Sequence, residues 1–191
     1  MRKLYALVLA AGLTVGAPWA ITNALFSDSE SVGSNTFTNG TVDIATSPAS
    51  AAISYSNMAP GDSTTESIVV SNDGSLDQRY SMTSTATNAD TKALKDQLVL
   101  TVKSIDATVP ATPCDDFDGA QLYTGDLDGS TGAILGDATA GAQGGDRSLS
   151  AAGSETLCFQ VSLPSATGNT YQGAATTATF VFAAEQTANN S

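Results

Sequence analysis

Histidine is absent from the 191 residues, and lysine and arginine together number only 7 against 19 acidic residues. Without an imidazole the chain can build neither a Ser-His-Asp triad, nor a Cys-His pair, nor an HExxH zinc site. The formal net charge of −12 repels nucleic acid and anionic lipid head groups and attracts cations. Charged residues nevertheless make up only 14% of the chain, so the acidity reflects a shortage of basic residues rather than a dense charge. No GxxxxGK[ST] phosphate cradle occurs, and no GxGxxG stands between a strand and a helix. Nothing in the sequence sets two carboxylates across a cleft. No catalytic residue and no cofactor-binding residue is therefore assigned, and the chain reads as a non-enzymatic structural protein.

Long apolar runs are also missing, with one exception. Arg2 and Lys3 are followed by an apolar stretch from Leu4 to about Ala17, the layout of a secretory signal peptide. Thr22 and Ala24 supply the small residues that a cleavage site needs, so the cut is expected after Ala24, with Leu25 as the new N-terminus. A cut after Ala20 would place Pro18 at a restricted position, and one after Ala17 would leave a proline just beyond the bond. A retained anchor is the competing reading, but a span needs about 20 apolar residues and Pro18 interrupts this one early. Processing removes two basic residues and no acidic one, making the mature chain still more acidic. The expected organisation is a signal peptide over 1–24, an N-terminal segment over 25–40 and one β-domain over 41–191. The product is expected to be extracellular, in a matrix or at a cell surface, with no stable membrane span.

Cysteine is scarce too, but Cys114 and Cys158 form an even pair, which in an exported chain points to a disulfide. It would close a loop of about forty residues and contribute about 3–4 kcal/mol in the chain-entropy model. In the run Leu157–Leu163, residues Leu157, Phe159, Val161 and Leu163 share one strand face and Cys158 takes the other. Cys114 is thus expected to pin a Gly/Asp-rich excursion onto that second face. Two cysteines without histidine make an incomplete zinc site.

What is abundant is short, alternating, turn-punctuated sequence. Strands are expected over 35–46 (with a bend at Asn39-Gly40), 52–56, 67–71, 78–87, 98–105, 155–163 and 175–184. Turns fall at Pro60-Gly61-Asp62 and Asn72-Asp73-Gly74. Residues 90–97 read as one short helix capped by Asp90. Residues 106–153 carry only short apolar pieces among Gly, Asp, Ala and Thr. Seven or eight strands imply an all-β, jelly-roll-like antiparallel sandwich.

Two DxDG steps, Asp116 to Gly119 and Asp126 to Gly129, offer alternate oxygens of the kind that hold calcium. Asp116, Asp118, Asp126 and Asp128 are weak candidates for such a site. Neither step completes an EF-hand loop, and two solvated turns on an acidic protein are the simpler reading.

Several motifs recur in a recognisable order. Ala24-Leu25-Phe26-Ser27-Asp28 precedes Asn35-Thr36-Phe37 and Gly40-Thr41-Val42-Asp43-Ile44. Asn57-Met58-Ala59-Pro60-Gly61-Asp62 and Val70-Ser71-Asn72-Asp73-Gly74-Ser75-Leu76 follow. Asn169-Thr170-Tyr171-Gln172-Gly173 and Phe180-Val181-Phe182-Ala183-Ala184-Glu185-Gln186 stand near the end. This arrangement resembles the TasA/camelysin family of secreted biofilm-matrix proteins, over residues 24–82 and 155–186, with the cysteine pair as a departure. The resemblance implies a jelly-roll subunit exported through a dedicated signal peptidase and polymerised head to tail with copies of itself by donor-strand exchange. It assigns the donor to the segment after the cleavage site, in which Leu25, Phe26, Val32 and Phe37 would fill pockets. Some family members carry a metallopeptidase label, which the absence of histidine does not favour here; a surface adhesion module that never polymerises is a further alternative.

Mass spectrometry of secreted protein is expected to find Leu25 at the N-terminus and no tryptophan, because Trp19 leaves with the signal. An intact mass retaining Trp19 would overturn the cleavage assignment.

Overall fold

The computed structural model describes residues 38–50, 53, 57–107 and 112–190. The signal peptide, the Ala24–Leu25 bond, the expected donor residues Leu25, Phe26, Val32 and Phe37, and most of the expected 52–56 strand lie outside the described residues. Residues from Thr38 onward form one compact unit.

Nine strands appear among the described residues: β1 (Ile44–Ser47), β2 (Ser63–Asn72), β3 (Gln78–Ala86), β4 (Val99–Ser104), β5 (Gln121–Asp126), β6 (Ala133–Leu135), β7 (Arg147–Leu149), β8 (Ser154–Ser162) and β9 (Ala178–Gln186). They pair antiparallel into two sheets. One has the order β1-β2-β8-β4-β5. In the other, β3 is central, β9 pairs along its full length, and the short β6 and β7 pair with different parts of it. This is the expected all-β sandwich.

The core is built from alternate residues on the two facing sheets. Ile68 and Val70 of β2, Leu157, Phe159 and Val161 of β8, and Leu100 and Val102 of β4 meet Tyr80 and Met82 of β3, with Leu127, Ile134, Leu135 and Leu149 closing the sides. Burying a side chain of this size stabilises by about 1.5–3 kcal/mol.

Several expectations need correction. The 106–153 region supplies β5, β6 and β7; they are three to six residues long, too short for periodicity to show against their Gly/Asp background. Ile44 begins the first strand, because Thr41 and Asp43 bond instead to the turn at Asp73–Leu76. The strand expected at 67–71 starts earlier, at Ser63, where polar residues face a partner strand. No helix follows Asp90. Only a 3₁₀ turn forms, over Leu94–Asp96, since Thr91 and Ala93 adopt φ of 59° and 57°, outside helical space. Asp90 serves as an acceptor all the same, for the backbone N–H of Lys92 and of Ala175.

Cys114 and Cys158 are bonded, and both are buried. Cys158 stands in register between Ser67 of β2 and Lys103 of β4, opposite in face to Leu157 and Phe159. The bridge therefore holds the loop before β5 on the outer surface of the five-stranded sheet. Buried Asp106 supports the same loop by accepting the N–H groups of Asp116 and Asp118, and the Lys103 ammonium donates to the Phe117 carbonyl while lying 4.4 Å from that ring's centre.

The two sheets are also joined by a polar cluster. The Tyr80 hydroxyl donates to Glu155 Oε1 at 2.6 Å, and the Arg147 guanidinium donates to both oxygens of the same carboxylate. Burial, and then the Glu155 carboxylate beside it, push the Tyr80 phenol far above its ordinary range.

Native secreted protein is expected to take up no alkylating reagent at Cys114 or Cys158 without reductant. Replacing both by serine should cost about 2–5 kcal/mol of stability, measured by denaturant unfolding; stoichiometric free thiol would contradict the bridge. Because the folded-state pKa of Tyr80 is raised, its contribution to stability is present below the unfolded tyrosine value of about 10 and declines as pH rises beyond it. Alkaline titration followed by tyrosinate absorbance should therefore show a phenol that ionises only with unfolding. Tyr80→Phe should remove that late step.

Candidate functional site

β9 carries the clearest alternation in the chain. Phe180, Phe182 and Ala184 turn toward the core and are half-buried, while Thr179, Val181 and Ala183 are exposed. Phe180 packs on Phe159 of the opposite sheet with ring centres 5.4 Å apart, and Phe182 packs on Tyr80 at 6.0 Å. β9 pairs with β3 from Gln78↔Gln186 to Ala86↔Ala178. Among the described residues nothing pairs with the other edge of this nine-residue strand. Val181, outward on this strand, is 53% exposed.

The facing sheet is incomplete on the same flank. β1 approaches β9, but it covers β2 only from Asn72 to Val69. From Ser63 to Ile68 β2 is itself the edge of its sheet among the described residues. Among the described residues the flank thus combines two strand edges without partners and two half-buried aromatic rings; Ile53 and Met58, from the chain between β1 and β2, also pack on the core. An unprotected edge of this kind is a template for an added strand.

One end of the flank is held firmly. Thr41 O accepts the N–H groups of Ser75 and Leu76 at 3.0 and 3.2 Å, its N–H donates to Ser75 Oγ at 3.0 Å, and the Asp73 N–H donates to Asp43 O at 2.9 Å. Glycine is required for this contact at two points. A Cβ on Gly40 would meet the Leu76 side chain at 2.4 Å, and one on Gly74 would lie 2.4 Å from Thr41 O. Asn72 completes the corner, its carboxamide donating to the Leu76 and Ser150 carbonyls and accepting from Gly74. The Asn-Asp-Gly turn of the sequence is thus the anchor for the chain entering β1.

On the outer face of β3 and β9, Arg79 donates to Glu185 and to the Asn190 carbonyl. Glu185 also accepts the Gly141 N–H, and the Arg79 guanidinium holds its carboxyl below the usual range.

The calcium candidates are not brought together. Asp116 and Asp118 precede β5, Asp126 ends it, Asp128 lies in the turn that follows, and the Asp128 carboxylate takes the Lys95 ammonium at 2.7 Å. Asp126 contributes its carbonyl, not its carboxylate, to the Tyr123 hydroxyl. Among the described residues no group of three or more His, Cys, Asp or Glu is placed to hold a metal ion. With no histidine in the chain and both cysteines in the disulfide, the residues present do not fit a protein zinc site.

Three comparisons bear on kinship. The sequence profile described as camelysin metallo-endopeptidase matches residues 1–101, more than half of the 191-residue chain. No curated protein sequence matches significantly. Among solved structures, the chain is similar to the ASH/PapD-like domain (PapD-like domain 7) of human CEP192, with 15% identity, a TM-score of 0.30, and coverage of 85% of this chain and 96% of that one. The profile takes in the Asn-Met-Ala-Pro-Gly-Asp and Asn-Asp-Gly-Ser motifs and ends within β4, so the motifs near the C-terminus lie beyond it. The protein belongs to the TasA/camelysin family.

Proposed function

We propose that this chain is a structural subunit of an extracellular fibre, in a biofilm matrix or at a cell surface, assembled by donor-strand complementation. The observation that carries the reading is the flank formed by β9 and the bare half of β2, where two strand edges lack partners among the described residues beside half-covered Phe180 and Phe182. A strand added there satisfies the backbone groups and covers the rings. The occupant is the segment from Leu25 to Gly40 of a second copy. It lies directly after the expected cleavage site, it is long enough to match the nine residues of β9, and it carries Leu25, Phe26, Val32 and Phe37 among small polar residues. A head-to-tail contact of this kind does not close on itself and generates a filament.

In this reading the protein is exported through signal peptidase, its main partner is itself, and it performs no catalysis. Nucleic acid is not a partner of so acidic a chain. The family's metallo-endopeptidase description supplies a second reading. The donor set works against it, since the chain offers carboxylates and no imidazole or free thiolate.

Electron micrographs of the secreted protein should show filaments, and deletion of residues 25–37 should leave a folded monomer that cannot elongate. A free peptide of that sequence should shorten wild-type filaments. Because like-charged subunits repel, raising ionic strength should speed assembly. Filaments of normal length from the truncated protein would overturn the donor mechanism. Chelator-sensitive casein cleavage would favour the peptidase, and an inert monomer a non-polymerising adhesion module.

A further inference from the structure

Across the inner face of the five-stranded sheet, Glu66, Phe159, Val102 and Tyr123 form one row through β2, β8, β4 and β5. Phe159 and Val102 are fully buried and Tyr123 is half-buried, but Glu66 is exposed. Its level is the bare half of β2, beyond the end of β1 at Val69, and Phe180 of β9 packs on its row neighbour Phe159. Glu66 thus stands between the two edges that lack partners among the described residues, with its side chain on the core face.

No cation is at hand to neutralise it. Arg79 is committed to Glu185, Lys95 to Asp96 and Asp128, and Arg147 to Glu155. Lys92 donates to the Gln172 carbonyl and Lys103 to that of Phe117. A strand added between these edges must therefore offer the carboxylate hydrogen-bond donors, or bury it at a cost.

We infer that Glu66 is the selectivity residue of this edge, admitting a strand whose inward face brings hydroxyl donors and rejecting one that brings carboxylates. This rests on the donor-strand reading and turns one face of the donor inward, so that of its four large apolar residues Leu25 and Phe37 enter the sandwich and Phe26 and Val32 do not. Alternation divides the segment into two faces. One holds Leu25, Ser27, Ser29, Ser31, Asn35 and Phe37; the other holds Phe26, Asp28, Glu30, Val32, Ser34 and Thr36. The first presents hydroxyl donors with no carboxylate among them, while the second mixes Ser34 and Thr36 with two carboxylates that would stand against Glu66. A one-residue slip exchanges the faces, so a carboxylate at this position enforces register. An inward-pointing charge of this type also discourages indiscriminate edge-to-edge pairing.

The test follows filament elongation in full-length secreted protein, with Ser27→Asp, Ser29→Asp and Ser31→Asp made singly, each with and without Glu66→Gln. At least one of the aspartate variants should elongate about tenfold or more slowly, and Glu66→Gln should restore most of that loss. Asp115→Asn, the same charge change on an exposed residue beside the disulfide, should restore none. The inference is overturned if all three variants elongate like wild type, or if Asp115→Asn rescues as well as Glu66→Gln. Absence of wild-type filaments, or normal filaments after deletion of 25–37, would instead overturn the donor-strand reading itself.

Discussion

From Leu157 to Val161 every residue of β8 has a register partner on both sides, β2 on one and β4 on the other. Its inner face supplies Leu157, Phe159 and Val161, and its outer face carries Cys158 into the disulfide. A strand buried on both faces and paired on both edges is the least able to fray. The remaining elements are positioned by reference to it: β2 and β4 through the ladder, β3 and β9 through the rings stacked against Phe159 and Tyr80, and the loop before β5 through Cys114. Glu155, near the start of the same strand, reaches across to Tyr80 and Arg147 and ties the second sheet to the first.

Order declines from this centre toward one flank. Pairing on the β2 side lasts for nine residues against β8 but for only four against β1. Among the described residues, β9 and the Ser63–Ile68 half of β2 each have one edge without a partner strand. Natural sheets protect such edges with charge, shortness or cover. Here the protections are one carboxylate on the core face and an exposed strand with a single large apolar side chain, Val181. That is a weak defence against a well-matched strand and a reasonable one against a poorly matched strand.

The electrostatics point the same way. Three of the five basic residues of the domain, Arg79, Lys95 and Arg147, are paired with carboxylates of their own subunit, and Lys92 and Lys103 donate to backbone carbonyls, so few cations remain to offset the acidic surface. In the proposed fibre, contacts between copies would rest mainly on backbone pairing and apolar burial, against a repulsive acidic surface. Exposed charges of this kind are screened by salt over about 8–10 Å, so ionic strength acts on association far more than on the fold.

Much of this was legible without coordinates. The alternation of Leu157, Phe159, Val161 and Leu163 against Cys158 is a local property of the chain, as are the Tyr80/Met82 face and the turns at Pro60-Gly61 and Asn72-Asp73-Gly74. Each follows from strand geometry and turn chemistry alone, and together they gave the all-β class and the face that the disulfide would occupy. The absence of histidine already excluded a Ser-His-Asp triad, a Cys-His pair and an HExxH site. Other features required the tertiary structure, because they depend on partners distant in sequence. β5, β6 and β7 are too short to carry a period and exist because β3 and β4 offer them edges. Thr91 and Ala93 turn away from helix where Asn88, Asp90 and Ala175 hold the loop. Glu66 lies one residue ahead of the strand expected at 67–71 and carries no sequence signal of its own. Only the register placing it beside Phe159, and the early end of β1, show a charge facing the core at an open edge. Pairing register and edge exposure are properties of strands meeting in space, and no single strand's sequence contains them.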